Sequence, residues 1–135
     1  MTSELIKDVV FAMQDAQANE TPQKASLRFA HSSTVVPLFA AFGLFRDEPL
    51  LRADSSASAI AARQFRTSIL SPMGTNFAFV LYDCGEETDA LVKVLHNEME
   101  ITVAGCSDIY CPLQQFVSAY ESYVSADFEE VCAFP

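Results

Sequence analysis

The sequence predicts an α/β fold in one continuous segment. Apolar residues recur at helical spacing near both ends of the chain, strand-length apolar runs lie between them, and half of the 135 residues are hydrophobic, enough for a single core. No repeat, low-complexity tract or linker composition interrupts residues 1–135, so no internal domain boundary is expected.

The elements follow in order. Leu5, Val9, Val10, Met13 and Ala16 share one helical face, which predicts an amphipathic helix over residues 1–17, ending in the polar turn ANETPQ. Ala25, Leu27 and Phe29 then alternate with Ser26, Arg28 and Ala30, the period of a short strand that ends at His31. Ser32 or Ser33 is placed to cap an apolar helix from Thr34 to Phe42, because a hydroxyl accepts from an unpaired first-turn amide, and Gly43 supplies the stop. Residues 46–71 lack a clean period and read as a loop with room for one helical turn. Asn76 to Tyr82 reads as a strand buried on both faces, and Ala90 to His96 as its hairpin partner. Asn97-Glu98 interrupts before Met99 to Val103 resumes an extended pattern. A closing helix from Pro112 to Val124 presents Leu113, Phe116, Val117 and Tyr120 on one face.

Eight basic against eighteen acidic residues give a net charge of −10, which repels phosphate backbones and argues against a nucleic-acid partner. A phosphate site on such a chain has to be local. No apolar run reaches the roughly 18 residues of a membrane span, and MTSELIKDVVFAMQDAQ mixes charges into its apolar positions, so this chain shows no signal peptide. Four cysteines and the sequon Asn19-Glu20-Thr21 nevertheless fit an oxidising, secretory setting. Both observations are reconciled if the chain is the C-terminal part of something longer.

Among the cysteines, the Cys-x4-Cys spacing of Cys106 and Cys111 lacks the paired two-residue spacing of a zinc site, so no metal is expected. A local disulfide between Cys106 and Cys111 closing the SDIY loop is the better reading, with Cys84 and Cys132 either paired or free. Arg63 and Arg66 share a face at i,i+3 spacing if their segment is helical, where they grip an anion or are simply solvated. His96, two residues before Glu98, reads as structural or solvent-facing. His31 has the more informative address, at a strand's carboxyl end before a helix N-terminus, where open α/β sheets bind anions. The bland alternative is a histidine bonded to a neighbouring carbonyl, with Ser33 as a cap. Glycine-rich phosphate loops, nucleophile elbows and Cys/His pairings are absent, and no cofactor is called for.

Taken in order, LRFAHSSTVVPLFAAFGLF, RQFRTSILSPMGTNFAFVLYDC, VKVLHNEMEITVAGC and CPLQQF resemble the C-terminal portion of the histidine acid phosphatases, in particular the multiple inositol polyphosphate phosphatase branch. The resemblance runs from about Thr2 to about Tyr120. It implies the C-terminal part of a three-layer α/β core, a mixed sheet flanked by helices, incomplete as a domain. It also implies phosphoryl transfer from phosphomonoesters to a histidine in an N-terminal Arg-His-Gly motif. A second histidine, in a His-Asp or His-Ala-Glu motif, contacts the phosphoryl group, and the adjoining acid protonates the leaving alcohol. His31 matches that second histidine and Ser33 is placed to bond a phosphate oxygen, but Ser32 and Ser33 occupy the acid's position and neither histidine lies in Arg-His-Gly. The expected partners are a phosphorylated small molecule such as an inositol phosphate, if the site is completed, and the missing N-terminal half or a second copy. The expected setting of a full-length parent is the secretory pathway or outside the cell. The alternative is a non-catalytic α/β protein that binds a phosphorylated ligand or another protein.

Overall fold

A computed structural model describes residues 2–18, 20–83, 85 and 89–133. The first helix, α1 (Thr2–Gln17), buries Ile6, Val10 and Met13, one turn apart along a single stripe, with Leu5 and Val9 partly buried beside it. It packs on α2 (Ser32–Ala41) and α6 (Glu121–Val124).

Residues 20–31 between α1 and α2 form neither helix nor strand, which corrects the strand expected over Ala25 to Phe29. Alternation sets which side chains share a face, but a strand also needs a ladder partner, and no described strand lies beside this segment. Leu27 and Phe29 are consequently 81% and 94% exposed. The capping expectation is also corrected. The N-cap of α2 is His31, with extended backbone and no side-chain cap bond, while Ser32 and Ser33 fall inside the first turn. Pro37 lies within α2 and has no N–H to donate to the Ser33 carbonyl.

Gly43 ends this helix for two physical reasons. Its φ is +68°, and a Cβ there would stand 2.8 Å from the Cβ of Ala104. Residues 46–71, expected as a loop with room for one helical turn, hold two short helices: α3 (Ala57–Ala62), capped by the Ser56 hydroxyl, and α4 (Thr67–Leu70), which buries Leu70 completely. The Asp47 carboxylate ties the connection down by accepting from the amides of Gln64 at 2.6 Å and Phe65 at 3.2 Å.

The expected hairpin is present. Strand β1 (Phe77–Tyr82) pairs antiparallel with β2 (Leu91–His96) from Phe77↔His96 to Tyr82↔Leu91. Asn97 and Glu98 both have positive φ, as a tight two-residue hairpin turn requires, and lead into β3 (Met99–Ile101). The short β4 (Tyr110–Pro112) pairs with the first half of β2, so one long strand organises the sheet. Every pairing among the described strands is antiparallel, and helices with a small antiparallel sheet make the chain α/β. Because β1 is an end strand, Phe77 to Leu81 are only half-buried, short of the burial on both faces expected.

Chain order then runs through α5 (Leu113–Ala119), α6 and α7 (Phe128–Cys132). The expected single closing helix breaks at Tyr120, whose backbone (φ −112°, ψ 14°) leaves the helical region. Cys106 and Cys111 form the expected disulfide, fastening the loop before β4, and Cys132 is an exposed free thiol. Cys84 and Asn19 lie outside the described residues.

The core sits between β2 and the helices. Val92 and Val94 point inward beside Phe77 and Phe79, and Phe42 fills the centre with ring centroids 5.3 Å from Phe79, 4.6 Å from Tyr120 and 6.1 Å from Phe116. On the opposite face of the sheet, the Lys93 ammonium lies over the rings of Tyr82 and Tyr110 and 3.0 Å from Glu100. The Tyr82 and Glu100 contacts hold that ammonium well above its ordinary pKa.

Replacing fully buried Phe42 empties the middle of this cluster, so Phe42→Ala is expected to cost about 3–5 kcal/mol, read from the shift of a urea unfolding midpoint. The second expectation concerns alkali. Burial, with a smaller contribution from Tyr123, pushes the Tyr120 phenol well above its ordinary value of 10.0, and its hydroxyl donates to the Ala104 carbonyl at 2.6 Å. The unfolded phenol ionises first, so the folded state holds more protons above pH 10.0, and this stabilisation, full below that pH, is lost as pH rises. Thermal melts against pH should show a fall above that point that is shallower in Tyr120→Phe, which is itself less stable at neutral pH by about 0.5–1.5 kcal/mol because the bond to the Ala104 carbonyl is lost.

Candidate functional site

His31, Ser32 and Ser33 stand together at the start of α2, held there by the seating of Leu38, Phe39 and Phe42 in the core. The first intrahelical bonds run to the His31 carbonyl, from Thr34 N at 2.9 Å and Val35 N at 3.2 Å. The amides of Ser32 and Ser33 precede these bonds and belong to the unpaired donor set of a helix N-terminus. No acidic residue occupies this first turn. His31 is exposed, and its imidazole makes no hydrogen bond among the described residues.

An open groove of about 700 Å³ runs from this turn to α4. It is lined by Ser32, Ser33, Thr67, Ser68 and Ser71 together with Val36 and Pro37. The structure therefore joins the serines behind His31 to a second set of hydroxyls that the sequence reading did not single out. Their signal was legible in RTSILS, where Thr67, Ser68 and Ser71 fall at one-turn spacing. Hydroxyls and first-turn amides can donate hydrogen bonds to an anion, but no charged side chain lines the groove.

The other sequence candidates are elsewhere. His96 is buried, and its Nε2 donates to the Leu70 carbonyl at 2.8 Å while the edges of Phe39 and Phe45 close around the ring. Of the two roles expected of it, structural or solvent-facing, the structure shows the structural one, and it fastens α4 to the end of β2. Glu98, at positive φ in the hairpin turn, is exposed while His96 is buried, and the two form no hydrogen bond. Arg63 ends α3 and donates to the Ile60 carbonyl at 2.6 Å, whereas Arg66 begins α4. They do not share a helix face, which overturns the i,i+3 grip. Among the described residues, no group of three or more His, Cys, Asp or Glu is placed to hold a metal ion, and no helix is long and apolar enough to cross a membrane.

Known proteins match this region. Residues 2–97, which contain His31, both serines and α4, match the family described as the histidine phosphatase superfamily (branch 2). The chain is 42% identical over 104 residues to Multiple inositol polyphosphate phosphatase 1 of Dictyostelium discoideum, covering 76% of this chain and 16% of that protein. It is 30% identical over 113 residues to the Gallus gallus protein of the same name, covering 81% and 25% of the two chains. Phytase A of Penicillium oxalicum is 29% identical over 79 residues, or 58% of this chain and 17% of that protein. The chain thus spans a quarter or less of the length of these relatives. No solved structure matches it significantly. With the family match extending over most of its length and the His31 region inside it, the chain belongs to branch 2 of the histidine phosphatase superfamily.

Proposed function

We propose that this chain is the C-terminal segment, or a degenerate relative, of a histidine phosphatase that hydrolyses phosphomonoesters such as inositol polyphosphates, and that it contributes His31 as the phosphoryl contact. The observation that carries this reading is the exposed His31 ahead of a ten-residue helix, beside a groove of five hydroxyl residues, inside the region matched by the family. In such an enzyme a histidine nucleophile attacks phosphorus, the ester oxygen leaves with a proton from an acid, and water then cleaves the phosphohistidine. His31 and the Ser33 hydroxyl can bond the phosphoryl oxygens as charge builds on them. Neither histidine lies in an Arg-His-Gly tripeptide, so the nucleophile and its arginines have to come from a longer parent. The seryl hydroxyls following His31 are far too weakly acidic to protonate an alkoxide near neutral pH. The Cys106–Cys111 disulfide and the Asn19-Glu20-Thr21 sequon support a secreted, glycosylated parent.

The acid-free first turn of α2 also favours a second reading, a non-catalytic protein that binds phosphorylated ligands or another protein without turning them over. One chimera separates the two. The chain is fused behind the N-terminal portion of the Dictyostelium relative, and phosphate release from inositol hexakisphosphate is followed. Expected are no release by the chain alone, slow release by the chimera, a loss of about 100-fold or more with His31→Ala, and a gain with Ser33→Glu. Turnover by the chain alone, or a chimera indifferent to His31→Ala, overturns the assignment. A chimera that binds the phosphate ester by calorimetry yet stays inactive with Ser33→Glu selects the second reading.

A further inference from the structure

We propose that His96 is a positioning residue for substrate specificity: it holds the hydroxyls of Thr67, Ser68 and Ser71 across the groove from the His31 turn, where they take the alcohol part of a phosphate ester. That ester is the one assigned by the phosphatase reading of this chain, on which the specificity role rests; the placement of α4 rests only on contacts among the described residues.

The placement of α4 falls to His96 for want of other support. A helix of four residues does not persist in water by itself, and Leu70 is its one buried residue. The Asp47 carboxylate fastens only the chain ahead of it, at the amides of Gln64 and Phe65. The Leu70 carbonyl has two neighbouring donors, His96 Nε2 at 2.8 Å and the Thr75 hydroxyl at 3.2 Å. Thr75 has a single proton and stands closer to Asn97 Oδ1, at 2.8 Å, so the Leu70 carbonyl depends on the imidazole. Asn97 Oδ1 also accepts from the Asn76 amide at 3.1 Å, which turns Asn97 Nδ2 toward the same Nε2, 3.1 Å away. Nδ2 could donate only to the opposite tautomer, and that tautomer sets two lone pairs against each other across 2.8 Å. The proton on Nε2 is therefore what holds α4.

The same ring meets α2. Its centroid lies 4.8 Å from that of Phe39, which is completely buried, and 5.3 Å from that of Phe45. His96 thus touches both elements that line the groove, α4 through its nitrogen and α2 through its ring. The two do not depend on it equally, because α2 is also anchored by Leu38 and Phe42. Loss of the nitrogen moves α4 and leaves His31 in place. Hydroxyls at α4 can donate to and accept from the substituents of a polyol, and they find no partner on a plain phenyl group.

Two variants test this. His96→Phe keeps a ring against Phe39 and Phe45 and removes the donor, whereas His96→Gln gives up the ring and keeps an N–H. In the 135-residue chain, hydrogen exchange at Ile69, Leu70 and Ser71, whose amides bond within the α4 turn, should quicken about 10-fold in His96→Phe relative to the amides of β1 and β2, and recover in His96→Gln. A rise shared equally by the sheet, no rise at α4, or a Gln variant that behaves like Phe overturns the positioning role. In the chimera with the Dictyostelium N-terminal portion, His96→Phe should raise KM for inositol hexakisphosphate about 10-fold, with kcat and the turnover of phenyl phosphate changed by no more than about 2-fold. Equal losses on both esters overturn the specificity role, since damage to the fold or to His31 costs both. A chimera that turns over neither ester before substitution overturns the phosphatase reading and the specificity role with it, and hydrogen exchange then decides the positioning role by itself.

Discussion

The direction of α2, and with it the place of His31, depends on the burial of one ring. Phe42, at the end of α2, is inaccessible to solvent and touches rings from β1, α5 and the break after it. Its carbonyl accepts from Ala104, and the next residue turns through a conformation that only glycine enters without strain. A helix of ten residues has little stability of its own in water, so the direction of α2 is set by this anchor rather than by propensity. His31 sits at the far end of the same helix. Where it points is therefore decided by packing at the opposite terminus.

On the proposed reading, the electrostatics of the groove explain why this segment supplies only part of a site. A phosphate monoester carries up to two negative charges, and a helix N-terminus offers the equivalent of roughly half a positive one. Five hydroxyls add donors but no charge, on a chain whose net charge is −10. On the proposed reading, the cations that offset the phosphate belong to the rest of the parent, while this segment supplies neutral donors and an imidazole. On the same reading, that division also accounts for the exposed Leu27 and Phe29 just ahead of His31, which have the pattern of a strand and no ladder partner among the described residues.

Much of the architecture was legible because its signals are local. The α1 stripe, the hairpin of β1 and β2, the stop at Gly43 and the Cys106–Cys111 bridge all follow from spacing within a few residues. The strand at Ala25 to Phe29 was misread for the opposite reason: alternation is local, but a ladder is not. Residues 46–71 hold two helices where the sequence left room for one turn, because they are held by groups far along the chain, the Asp47 carboxylate and the buried Leu70 contact with His96. The cap fell on His31 instead of a serine because the helix begins where the core can accept Leu38 and Phe39.

By itself the sequence determined the α/β class, the net negative charge, the disulfide and the place of His31 beside two serines, since composition and short-range spacing are properties of the chain alone. Only the tertiary structure decided that those serines share a groove with Thr67, Ser68 and Ser71, that His96 is a buried strut and that β1 pairs only with β2 among the described residues. These facts join residues dozens of positions apart. Their relative placement is set by which apolar faces bury together, a competition over the whole chain that no local pattern records.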